Sequence, residues 1–220
     1  MQIYDCKVNH LVNPLGYRIG QPTFSWKVRE AKGKRQREAR IVIRREGEAD
    51  TPVLDTGWRQ DPDSLAFRAA LAPEPVTRYF WTVQVRSDAG EEAESGENWF
   101  ETGRMETPWE ARWIGCDDTQ KRHPVFSGEI ALSGKVKRAR LYICGLGLYE
   151  AFLDGEKVGE ELLTPYSNNY NAWLQYQTFD VTERLGKEKS RLEVLLGNGW
   201  YKGRFSFDDS TGKGYYGEEW

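Results

Sequence analysis

The run Tyr79-Phe80-Trp81-Thr82-Val83-Gln84-Val85-Arg86 constrains this chain more than any other stretch. Tyr79, Trp81, Val83 and Val85 recur at every second residue, and a β-strand puts such residues on one face. Ser87-Asp88-Ala89-Gly90, a turn-forming cluster, follows at once, and a further strand is expected around Trp99-Phe100. The same period appears earlier: Phe24, Trp26 and Val28 alternate, as do Ala39, Ile41 and Ile43, and Leu65, Phe67 and Ala69. Period two at spacings of roughly ten residues, with almost no helical periodicity, predicts an antiparallel β-sandwich.

Thr102-Gly103-Arg104-Met105-Glu106-Thr107-Pro108 is polar, carries Gly and Pro, and reads as a boundary. We therefore expect one domain over residues 1–105 and a second over 106–220. In the second, residues 136–143 read as a strand, and Tyr149-Glu150-Ala151-Phe152-Leu153 meets Asp154-Gly155, a dipeptide suited to the positive φ angles of a tight hairpin. Leu141, Phe152 and Val194 are its expected core residues, as Trp26, Trp81 and Val83 are in the first. Asp180-Val181-Thr182 fits the start of a single helical turn. Leu192, Val194 and Leu196 alternate up to Gly197-Asn198-Gly199-Trp200. The fold class is all-β, two antiparallel sandwiches, the second of the jelly-roll kind common in sugar-binding modules.

Composition narrows the partners. The 220 residues carry 31 basic and 34 acidic side chains, a net charge of −3. That balance gives no electrostatic reason to expect nucleic acid or an anionic membrane. No window approaches the ~20 apolar residues that span a bilayer, and the N-terminus has no apolar run behind a basic start. Cys6, Cys116 and Cys144 are an odd number, far apart, without CxxC spacing. They read as free thiols in a reducing compartment, which places the chain in the cytoplasm, and not as metal ligands. His10 and His123 are isolated. Gly145-x-Gly147 and Gly197-x-Gly199 lack the following helical pattern that a phosphate loop needs. Glu160-Glu161 and Glu218-Glu219 are the nearest thing to an acid pair, but adjacent residues of a strand point to opposite faces, and solvated surface accounts for them. No catalytic residue and no metal ligand is assigned.

Several motifs in this order resemble the N-terminal region of bacterial α-L-rhamnosidases. In the first half they are Asn13-Pro14-Leu15-Gly16, Pro22-Thr23-Phe24-Ser25-Trp26, Leu54-Asp55-Thr56-Gly57, Tyr79-Phe80-Trp81-Thr82-Val83 and Trp99-Phe100-Glu101-Thr102-Gly103. In the second they are residues 138–147, Tyr149-Glu150-Ala151-Phe152-Leu153-Asp154-Gly155, Tyr176-Gln177-Thr178-Phe179-Asp180-Val181-Thr182 and residues 196–203. The resemblance implies a fibronectin type III-like sandwich followed by a rhamnosidase N-terminal sandwich that breaks off before its last strands. It implies that the paired carboxylates of an inverting hydrolase belong to a helical barrel elsewhere in the parent enzyme. The chain alone is expected to be inactive, and its partners are rhamnose-containing glycans or glycosides, reached through the parent enzyme, and the missing catalytic domain. A tandem of sandwiches used only for protein contact is the alternative.

In some members the second module binds rhamnose with a calcium ion beside it. A sugar wants an aromatic face and planar polar groups. Two segments offer both: Pro165-Tyr166-Ser167-Asn168-Asn169-Tyr170-Asn171-Ala172-Trp173, and Asn198-Gly199-Trp200-Tyr201 with Asp208 and Asp209 beyond it. The candidate carbohydrate-binding residues are Asn168, Asn169, Tyr170, Asn198, Trp200 and Tyr201. Asn169 stands where related sequences often carry an acidic residue, and calcium favours charged oxygens. No cofactor is assigned, and calcium is left open.

Overall fold

Residues that favour strands dominate both halves, and nearly every regular element of the computed structural model is a strand. It describes residues 1–48, 51–116, 123–186 and 188–203. The chain divides into two units, Met1–Trp109 and Glu110–Trp220.

The first unit contains β1 (Gln2–Val8), β2 (Leu15–Tyr17), β3 (Thr23–Arg29), β4 (Gln36–Arg45), β5 (Pro52–Asp55), β6 (Phe67–Arg68), β7 (Arg78–Ser87), β8 (Glu92–Glu94) and β9 (Asn98–Thr102). One sheet runs β1-β3-β6; the other runs β2-β9-β7-β4-β5, with β8 also paired to β7. Register sets Ile41 opposite Val83 and Ile43 opposite Trp81. The inner faces of both sheets meet in one core that includes Val8, Phe24, Trp26, Ile41, Ile43, Tyr79, Trp81 and Val83. Phe24 meets the Trp81 ring edge-on at 4.6 Å, and Tyr79 stacks on Phe100 at 5.0 Å, geometries that favour aromatic pairs. The pairing is antiparallel save for β2 against β9, which is parallel. Val28 and Leu65 leave the pattern and are exposed.

The second unit contains β10 (Val125–Ala131), β11 (Arg140–Ile143), β12 (Leu148–Leu153), β13 (Glu156–Lys157), β14 (Gln177–Asp180), β15 (Lys189–Gly197) and a one-turn helix α1 (Gly199–Lys202). A four-stranded antiparallel sheet runs β10-β15-β12-β13, and β11 pairs with β14. Tyr149, Ala151, Leu153, Val158, Val181 and Leu185 form its core, with Leu141, Ile143, Phe179 and Val194 packed against them. The Tyr149 hydroxyl donates to Gln177 Oε1 at 2.6 Å. Asp154 and Gly155 take φ of 52° and 84°, and the hairpin closes with Leu153 opposite Glu156. A 3-10 turn spans Thr182–Arg184, with Asp180 Oδ1 accepting from the Thr182 amide.

Two expectations are corrected here. Phe152 is not a core residue: Tyr149, Ala151 and Leu153 face inward, and Phe152 lies on the other face between Glu193 and Lys157. With aromatics on both faces of this strand, hydrophobicity alone could not choose the phase. Gly197-x-Gly199 does have a helix behind it, α1. One turn is too short to leave a 3.6-residue period in sequence.

Candidate carbohydrate-binding site

Two glycine pairs decide where the candidate residues sit. Register places Leu148 opposite Gly197, so Gly147, entering β12, lies against the end of β15. Gly147 and Gly199 have φ of +142° and +50°. A Cβ on Gly147 would overlap the Gly197 carbonyl oxygen, and one on Gly199 would lie 2.5 Å from the Leu148 amide nitrogen. Only glycine lets the backbones approach this closely. Both Gly-x-Gly motifs are thus one crossing point, and α1 starts from it.

On α1, Asn198 caps the turn: its carbonyl accepts from the Lys202 amide at 3.2 Å. Trp200 is 40% exposed and Tyr201 half-buried. The facing loop is tied to the same crossing, because the Tyr149 amide donates to the Thr164 carbonyl at 3.0 Å. Thr164 and Pro165 are buried, and the Asn169 carbonyl closes a turn by accepting from the Ala172 and Trp173 amides at 2.8 and 3.0 Å. Asn168 is 6% exposed, and its side-chain oxygen is a buried acceptor with no partner. Asn169 is exposed and Tyr170 half-buried. The Tyr170 ring meets the Tyr201 ring edge-on, centroids 5.3 Å apart at 67°. The fold therefore brings the loop and α1 side by side.

Beside them lies a cleft of about 220 Å³ between the start of the loop and the end of β15, lined by His123, Glu150, Leu163, Thr164, Leu195 and Gly197 among others. Sequence reasoning missed it; the rings of Tyr166 and Trp173, within the loop segment singled out in sequence but not among the candidate residues, are exposed on the same loop. Deeper in the unit, burial pushes the Cys144 thiol up to about 11 and raises the Tyr149 hydroxyl above its ordinary range. Calcium does not suit the oxygens described here: Asn168 and Asn169 bring neutral amides, whereas calcium sites rely on carboxylates. Asp208, Asp209, Glu218 and Glu219 lie outside the described residues. Glu160 and Glu161 are exposed, and Glu161 accepts from the Glu160 amide.

Residues 3–106 match the family described as the Rha78A-like N-terminal immunoglobulin domain. Residues 134–220 match the α-L-rhamnosidase N-terminal domain. The first half is a Rha78A-like immunoglobulin domain and the second an α-L-rhamnosidase N-terminal domain. An α-L-rhamnosidase of Formosa agariphila is 30% identical over 88% of this chain and 24% of its own length. One of Streptomyces avermitilis is 43% identical over 38% of this chain and 8% of its own. The structure of an α-L-rhamnosidase from Dictyoglumus thermophilum superposes on 91% of the chain and 26% of its own length, at 30% identity and a TM-score of 0.80. The chain thus spans about a quarter of the length of the rhamnosidases it matches over most of its own. The immunoglobulin description of the first domain names the same sandwich architecture that fibronectin type III modules share.

Proposed function

We propose that this chain serves as the non-catalytic N-terminal part of an α-L-rhamnosidase that releases terminal L-rhamnose, and that its second domain holds a weak sugar site at the loop and α1. The contact of Tyr170 with Tyr201 carries the reading, because it joins amide donors and aromatic faces at one place. In this reading Trp200 or Tyr201 offers the platform for the C–H face of the ring. Asn169 and Asn198, both exposed, hydrogen-bond hydroxyls, and the Asn168 oxygen, closed to solvent in the unliganded fold, accepts a hydroxyl proton when the loop shifts on binding. A buried acceptor without a donor costs about 1–3 kcal/mol, and a bound hydroxyl relieves that cost. Hydrolysis needs a placed acid and base, and the reading assigns both to the rest of the parent enzyme.

The test is titration of the chain with L-rhamnose, followed by amide NMR. Shifts confined to residues near Asn168, Tyr170 and Trp200, saturating around 1 mM or above, equivalent to about 4 kcal/mol, are expected. Asn169→Ala, at an exposed side chain, should weaken them severalfold while leaving the melting temperature nearly unchanged. No shift at tens of millimolar, or steady release of rhamnose from an aryl rhamnoside by the pure chain, would overturn the respective half of the reading.

A further inference from the structure

β10 is the outer strand of its sheet; among the described residues β15 alone pairs with it. The ladder fixes which of its groups face away. The Leu196 amide donates to the Pro124 carbonyl, and the Leu132 amide donates to the Glu188 carbonyl. Phe126 lies opposite Val194, Gly128 opposite Leu192 and Ile130 opposite Ser190. Antiparallel ladders alternate bonded and non-bonded pairs, so even-numbered residues bond toward β15. Val125, Ser127, Glu129 and Ala131 turn their N–H and C=O groups outward, and all four are exposed.

Other strands at sheet margins are blunted. β2, β5, β6 and β13 are two to four residues long, β11 and β14 are four each, and β1 is broken between Tyr4 and Lys7. β10 has seven residues in unbroken register and a single charge, Glu129. A regular open edge of this kind is a template for another strand.

We propose that a second copy of this chain pairs with β10, antiparallel, about a two-fold axis at Gly128. Outward groups must meet outward groups, so the axis passes through a residue, and those that overlap five or more residues of each strand lie at Ser127, Gly128 and Glu129. The Glu129 axis sets two carboxylates opposite each other, an unfavourable pair. The Ser127 axis leaves Ile130 and Ala131 unpaired, using five residues of each strand where the Gly128 axis uses seven. At Gly128 about eight new backbone hydrogen bonds form, Glu129 faces the partner's Ser127, a hydroxyl donor, and Phe126 faces the partner's Ile130. Each Glu129 keeps its Lys189 ion pair of 2.7 Å.

Sedimentation of the whole chain from about 1 to about 100 µM should show a reversible dimer. Hydrogen exchange should slow with concentration at the Val125, Ser127, Glu129 and Ala131 amides. Ser127→Pro removes an outward backbone donor and no backbone bond to β15, losing only the hydroxyl that accepts from Arg191 Nε at 2.9 Å, so it should give a folded monomer. Ser127→Lys should tighten the dimer and Ser127→Glu loosen it, each roughly severalfold; these variants decide the matter if the proline variant fails to fold. A monomer throughout, a dimer indifferent to all three substitutions, or exchange protection elsewhere overturns the proposal.

Discussion

Asp55 illustrates how a single side chain here earns a local effect. Its carboxylate takes both Arg40 Nε, at 2.9 Å, and Nη2, at 2.5 Å, and also accepts from the Gly57 amide at 2.9 Å. The Arg40 guanidinium, helped by that amide, holds the Asp55 carboxyl at about 2, against 3.8 in a free side chain. A folded pKa below the unfolded one stabilises the fold above the ordinary carboxylate range, and the gain fades as pH falls toward 2. The pair is partly exposed, so solvent limits it to about 1 kcal/mol or less. Asp55→Asn should lower stability by that amount at neutral pH, and chemical denaturation of both forms should converge between about pH 4 and pH 2. At this scale the sequence was readable where alternation was clean: Trp26, Trp81 and Val83 are at most 1% exposed. It was unreadable at Asn168, whose burial runs against the ordinary habit of amides and depends on a loop folding back over β12.

The glycine crossing works at the level of elements. Gly147 and Gly197 are far apart in sequence, and nothing local says that one fills the space the other leaves; each motif read alone is a turn. Asp154-Gly155 was legible because a hairpin is a local event, and α1 was not, because one turn has no period. Gly147→Ala adds a Cβ where the Gly197 carbonyl sits, at a φ of +142° that L-residues avoid. It should cost at least about 2 kcal/mol and should weaken the near-ultraviolet signal of the Tyr170–Tyr201 pair, since the end of β15 and α1 must move together. Equal melting temperatures and unchanged spectra would show that the crossing carries no strain.

The two units differ as whole bodies. Among the described residues, the largest fully buried side chains, Trp26, Trp81, Phe24 and Phe100 first among them, all belong to Met1–Trp109. Among the described residues, the second unit's core holds six buried residues, with Tyr149 the one aromatic of the six. The strand pattern made two sandwiches legible in sequence, while this inequality depends on side chains from distant strands closing over one another. Between the last strand of one unit and the first of the other, residues 106–115 carry no regular structure and are exposed, Arg112 among them. A protease needs just such a stretch, because cleavage requires an extended, accessible backbone. Trypsin should therefore cut after Arg112 sooner than at any arginine within a strand, as mass spectrometry of a brief digest would reveal; persistence of the intact chain while strand sites are cut would refute it. A cut there leaves the first sandwich with every strand it had before.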